Sequence, residues 1–108
     1  MRRTLRGILR TVILDIIARQ GPIYGLEIVR EVERVSGDEK IVLTAGSLYP
    51  ALHSFEQNGL VQVETRPTPR GRGAVNYYSI TEKGRRELTA QREEVKTLFK
   101  FGQAVLEL

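Results

Sequence analysis

Pro69-Arg70-Gly71-Arg72-Gly73 sets two arginines one glycine apart in this 108-residue chain. Two guanidinium groups flank a residue without Cβ, so both can sink into a narrow groove of negative potential. No acidic residue lies between Glu64 and Glu82 to compete for them. A grooved polyanion is the ligand such a segment suits. The plainer account is a turn whose arginines serve solubility. Arg66 is a further candidate at the base of the same stretch.

A second constellation begins at Thr44-Ala45-Gly46-Ser47 and continues through Tyr49 to His53. Small residues at a helix start let the backbone approach a ligand closely, and the free N–H groups there favour phosphate. The hydroxyls of Ser47 and Tyr49 suit phosphate or base edges, the alternative for Tyr49 being partial packing against a neighbouring hairpin. His53 is the sole histidine, which fits a surface residue or a phosphate contact better than a metal ligand or catalyst. Tyr24 can rest its ring on a core and offer its hydroxyl to phosphate, or simply pack. Lys40 and Asn76 complete the polar candidates for nucleic-acid contact.

Catalysis finds little support. With one His and no Cys, a nucleophile, base and orienting group cannot be assembled in the usual way. The glycines at 71 and 73 lack the lysine pattern of a phosphate-cradling loop. No enzyme activity, cofactor or metal is therefore expected.

The net charge is +4, with 41% hydrophobic and 28% charged residues, as in ordinary soluble domains. Its distribution is uneven. Residues 1–20 carry five Arg against Asp15 alone, and residues 64–86 carry six basic against two acidic groups. Two separated basic segments imply two patches meeting phosphate, or else solubilising charge on helix faces. Arg2, Arg3, Arg6 and Arg10 could serve either purpose. No apolar run approaches the ~20 residues of a membrane span. Without cysteine there are no disulfides, so a cytoplasmic location is the default.

These groups need elements to position them. Leu5, Ile8, Leu9, Val12, Ile13, Ile16 and Ile17 recur at helical spacing and predict a helix over residues 3–19. Gly21, able to turn left-handed, and Pro22 end it. A second helix is predicted over 24–35, with Leu26, Ile28, Val29, Val32 and Val35 facing inward. Thr44 is the expected N-cap of a third helix, 45–58, in which Leu48, Leu52 and Phe55 face the core. Pro50 should bend it or loosen its first turn. Gly59 offers a left-handed exit, and the period then switches to two. Strands over 60–65 and 75–80 form a hairpin whose tip carries Arg70 and Arg72. Thr81 caps a final helix from Glu82.

On that last helix Leu88, Val95 and Gly102 fall seven apart, and Leu98, Phe99, Phe101, Val105 and Leu106 widen its apolar face. One small domain cannot cover so broad a face, so a homodimer is expected, with Leu5, Ile8 and Val12 joining the seam. The alternative is a helix folded back on its own core. A small-molecule pocket lined by Ile8, Val12, Leu98 and Phe99 is conceivable between such helices, as is a fully packed interface.

The motifs Gly21-Pro22-Ile23-Tyr24-Gly25-Leu26-Glu27-Ile28, Ser47-Leu48-Tyr49-Pro50-Ala51-Leu52, Phe55-Glu56-Gln57-Asn58-Gly59-Leu60-Val61 and Asn76-Tyr77-Tyr78-Ser79-Ile80-Thr81-Glu82-Lys83-Gly84 together resemble the PadR family of bacterial transcriptional regulators. The resemblance covers almost the whole chain. It implies a mainly α fold with a small β-hairpin (α+β): a winged helix-turn-helix over residues 1–80 and a C-terminal dimerisation helix over 81–108, as in the short branch of that family. It implies a homodimer on a pseudo-palindromic duplex, commonly a repressor released by a small molecule or stress signal. The third helix would enter the major groove and the wing the adjacent minor groove. Val75, Asn76 and Ser79 depart from the basic residues usual around the tyrosine pair. The Arg-Gly-Arg core also resembles minor-groove AT-hook segments. A winged helix that binds protein rather than DNA stays open on the residues alone.

Overall fold

The computed structural model describes residues 5–37 and 43–106. Its elements run α1 (Leu5–Gln20), β1 (Ile23–Tyr24), α2 (Gly25–Ser36), α3 (Ala45–Gln57), β2 (Val61–Pro67), β3 (Ala74–Ile80) and α4 (Glu82–Leu106). The three strands form one antiparallel sheet in the order β1-β3-β2. The α+β class matches expectation, and β1 is an addition to it. Both hairpin arms extend beyond the expected strands, reaching Pro67 and Ala74, which pair with each other at the tip.

The helical stripe of α1 supplies Ile13, Ile16 and Ile17, and Leu14, which the stripe does not include, joins them; all four are almost wholly buried. Ile28 and Val32 of α2, Leu48, Leu52 and Phe55 of α3, and Val61 and Tyr78 of the sheet close on them. Two expectations fail on α2: Leu26 is 49% and Val35 57% exposed. The buried face of α2 runs through Gly25, Ile28 and Val32. At about 100° per residue Leu26 lies on the other side from Ile28. Helix α2 also starts one residue late, because Tyr24 is held extended as its N-cap, where its backbone N–H donates to Glu27 at 3.2 Å.

The joints follow local chemistry. Gly21 does not turn left-handed as expected; a Cβ there would meet the Ile17 carbonyl oxygen at 2.7 Å and that of Tyr78 at 3.0 Å. Gly59 does, with φ +72°, and Leu60 N–H donates to Phe55 O at 2.8 Å while Gly59 N–H reaches Glu56 O at 3.0 Å. Those two bonds make a Schellman exit that turns α3 into β2. Thr44 caps α3, its hydroxyl accepting from Ser47 N at 3.2 Å. Ser47 N also lies 3.1 Å from Thr44 O, a tight first turn, and α3 then continues through Pro50. Thr81 caps α4 by accepting from Gly84 N at 2.9 Å and donates to Gly59 O at 2.7 Å.

Helix α4 gives the molecule its length, with principal extents of 57 × 32 × 22 Å. Leu88, expected at a subunit seam, is only 3% exposed within its own chain and belongs to the core. The first turns of α4 lie against α1, so a residue there is covered without a partner. Thr11 donates to Gln91 at 2.8 Å, and Asp15 pairs with both Arg19 and Arg92. Ile8, Val12 and Val95 remain half-buried. Leu5, Leu98, Phe99, Phe101, Val105 and Leu106 lie on described helices, but their side chains fall outside the described residues.

Candidate nucleic-acid interface

The burial of Leu48, Leu52 and Phe55 fixes the roll of α3, turning Ala45, Gly46, Ser47, Tyr49 and His53 to the exterior as expected. Tyr49 is 55% exposed, and its hydroxyl hangs over the start of α2 at Gly25. Thr44 is exposed too, but its hydroxyl is engaged in the cap and in a 3.3 Å contact with that of Ser47. What α3 offers at its N-terminus is therefore mostly backbone N–H and small side chains.

The wing is built by alternation across β2 and β3. Val61 and Val63 share a face with Ile80 and Tyr78, their partners in register. Toward the tip the same face carries Thr65 and Asn76, where the Thr65 hydroxyl donates to Asn76 Oδ1 at 2.9 Å. The opposite face carries Glu64, Arg66 and Tyr77. There Arg66 lies over the Tyr77 ring at 4.9 Å and donates to Glu64 at 2.9 Å. The Tyr24 ring packs on Tyr77 with centroids 5.3 Å apart. The Arg66 bond holds the Glu64 carboxyl below the usual carboxylate range and pushes the Arg66 guanidinium up. Arg66 thus brings a matched anion with it. Of the tyrosine pair, Tyr78 is the buried member, and burial raises its phenol above the ordinary value.

At the tip the chain makes an ordered turn, which sequence reasoning missed. The Thr68 hydroxyl donates to Arg72 O at 2.7 Å and accepts from Arg72 N at 3.0 Å. Thr68 N–H reaches Gly73 O at 3.1 Å, and Gly71 N–H reaches Thr68 O at 2.9 Å. Gly71 and Gly73 have φ of +78° and +73°, values that L side chains rarely adopt. Arg70 and Arg72 are exposed on this frame, and no ion pair among the described residues engages either.

Between the wing and the two helices lies a cleft of about 740 Å³. Tyr24, Gly25, Leu26 and Arg30 form the wall from β1 and α2, Tyr49 comes from α3, and Thr68, Arg70, Arg72, Asn76 and Tyr78 line the wing side. Five expected residues, Tyr24, Tyr49, Arg70, Arg72 and Asn76, are brought together here. Ala45, Gly46, Ser47 and His53 stay on the neighbouring exterior of α3, and Arg66 sits on the far face of the wing. Lys40 lies outside the described residues. Arg30 was missed, since a single basic residue on an amphipathic helix carries no signal of its own. No carboxylate lines the cleft, so its potential is positive. Among the described residues no cluster of His, Asp or Glu could hold a metal ion, and no helix is long and apolar enough to cross a membrane.

Known proteins share this fold. Residues 13–90 match the Transcriptional regulator PadR-like family. A transcriptional regulator from Clostridium thermocellum, 28% identical, superimposes with a TM-score of 0.79 over 93% of this chain and 91% of its own. A PadR family transcription regulator from Clostridium difficile is 25% identical, with a TM-score of 0.74 over 93% of this chain and 99% of that one. A PadR-like transcriptional regulator from Bacillus cereus shares the fold at 24% identity and a TM-score of 0.77, covering 99% of both chains. No curated protein matches by sequence.

Proposed function

The chain belongs to the PadR-like family of transcriptional regulators, and from that premise we propose that it binds duplex DNA sequence-specifically as a homodimeric repressor in the cytoplasm. The supporting observation is the convergence of Tyr24, Tyr49, Asn76, Arg70 and Arg72 on one positive cleft beside the exposed start of α3. In this proposal α3 enters the major groove through Ala45, Gly46, Ser47, Tyr49 and His53. The ordered tip carries Arg70 and Arg72 into the adjacent minor groove, where A·T-rich sequence narrows the walls and deepens the potential.

Pairing through α4 and α1 places two such surfaces on a pseudo-palindromic site, with centres about 34–36 Å apart if the half-sites lie one helical turn apart. Ile8, Val12 and Val95, half-buried in one chain, supply described apolar surface for that seam. A small molecule or stress signal that altered the pairing would change the spacing and release the operator.

Selection of bound sequences from a random duplex pool at two salt concentrations tests this directly. The expected product is a two-fold symmetric site whose affinity falls with salt by roughly 0.9 log units per log unit for each neutralised phosphate. Arg70→Ala and Arg72→Ala should weaken binding, and sedimentation should report a dimer. A complex that persists at high salt, with duplex held no better than heparin, would mark a protein-interaction module instead. A monomer at working concentration would end the two-half-site arrangement.

A further inference from the structure

Arg30 is the one guanidinium on the helical wall of the cleft, across from Arg70 and Arg72 on the wing. It is exposed, and no hydrogen bond or ion pair to another described residue holds it. Neighbouring arginines differ: Arg34 is tied to Glu31 at 3.0 Å and Arg66 to Glu64 at 2.9 Å. Beside Arg30, Leu26 presents half its surface to the same space, and the cleft is rimmed by Tyr24 and Tyr49.

Cations on both walls and no carboxylate between them suit an anion running along the cleft. Base edges require donors and acceptors matched in a plane, whereas phosphate accepts from any converging donor. In a duplex, the sugar–phosphate strand is what separates the major from the minor groove. A protein with α3 in one groove and a hairpin in the next must straddle that strand, and the cleft opens beside it, between α2 and the wing with Tyr49 of α3 at its edge. Apolar Leu26 then meets sugar while the guanidinium meets phosphate.

Resting on the duplex-binding proposal above, we infer that the cleft between α2 and the wing is a phosphodiester site, in which Arg30 neutralises a phosphate of the straddled strand. Helix α2 thereby becomes a third contact element that adds affinity without reading sequence.

The test titrates the full chain, as wild type, Arg30→Ala and Arg30→Lys, against the selected duplex and a scrambled duplex of equal length across a salt series. Arg30→Ala should weaken both complexes by a similar factor, roughly tenfold, as expected for loss of one charge-assisted bond. Its log–log salt slope should shrink by roughly 0.9. Arg30→Lys should keep the slope and most of the affinity, and all three proteins should melt together. An Arg30→Ala protein with unchanged affinity and slope overturns the inference while leaving duplex binding intact. Weakening confined to the selected sequence overturns it too, by making Arg30 a base reader. A wild type that binds neither duplex removes the underlying proposal, and this inference with it.

Discussion

The Tyr49 hydroxyl rests over the first residue of α2, so that a Cβ built on Gly25 would stand 3.0 Å from Tyr49 Oη and 3.6 Å from Leu48 Cδ2. Gly25 is buried, whereas Tyr49 is 55% exposed and can swing outward. Gly25→Ala should therefore leave stability within about 1 kcal/mol, since alanine's better helix propensity offsets the crowding. Tyr49 would nonetheless be displaced toward the cleft, and DNA affinity should fall severalfold. Thermal melts and anisotropy titrations on the same protein separate the two effects. Equal losses in both would mean that Gly25 acts through packing alone.

Gly84 shows the opposite balance. A Cβ there would lie 2.1 Å from the Leu60 carbonyl oxygen and 2.9 Å from Ile80 Cδ1. The carbonyl is backbone, held by Thr81 N–H at 3.1 Å, and cannot step aside as a side-chain tip does. Gly84→Ala, which helix propensity alone would favour, should destabilise by about 3 kcal/mol, at the upper end of usual overpacking costs. Urea unfolding measures it. An alanine protein as stable as wild type would mean that the joint between α3 and α4 is looser than the packing implies.

Thr68 sets the wing tip through a donated and an accepted bond with Arg72. Thr68→Val keeps the shape and removes the hydroxyl. Two bonds at about 1 kcal/mol each then cease to order the turn. The Arg72 amide should exchange its hydrogen faster, and DNA affinity should fall roughly tenfold as the ordering cost moves to the binding step. Global stability should change by no more than about 0.5 kcal/mol, because the tip is exposed. Unaltered exchange at Arg72 with unaltered affinity would show that the loop needs no such frame.

Periodicity made the helical part of this interface legible. Leu48, Leu52 and Phe55 at helical spacing both announce α3 and fix which side faces outward, while Thr44, Gly59 and Thr81 end and start elements by chemistry local to each. Strand β1 was not legible: two residues have no alternation, and Ile23 and Tyr24 pair with Tyr78 and Tyr77 far along the chain. Leu26 was misread because an apolar residue on an amphipathic helix looks inward until the neighbouring roll is known. The Leu88–Val95 spacing reads alike for a subunit seam and for a helix lying on its own core, and only the packing of α4 on α1 places Leu88 inside. Arg30 and Arg66 trade places for a related reason. A basic residue's availability depends on what the fold sets beside it, and Glu64 flanks only one of them.

Tyr78 carries a consequence for alkaline stability. Burial, the largest influence, holds its phenol above the ordinary value, and the nearby Asn76 side chain opposes this less strongly. An unfolded chain ionises tyrosine at about pH 10. Below that pH the phenol is neutral in both states and its contribution to stability is complete. As pH rises from there through the higher folded value, the unfolded state releases its proton first, and that contribution is lost. Wild type should lose stability through this window faster than Tyr78→Phe, whose ring fills the same site without a proton to lose. Chemical unfolding at several pH values from neutral to alkaline compares the two curves. Parallel curves would show that Tyr78 ionises as freely in the fold as in the open chain, and that the strand it anchors leaves the phenol in contact with water.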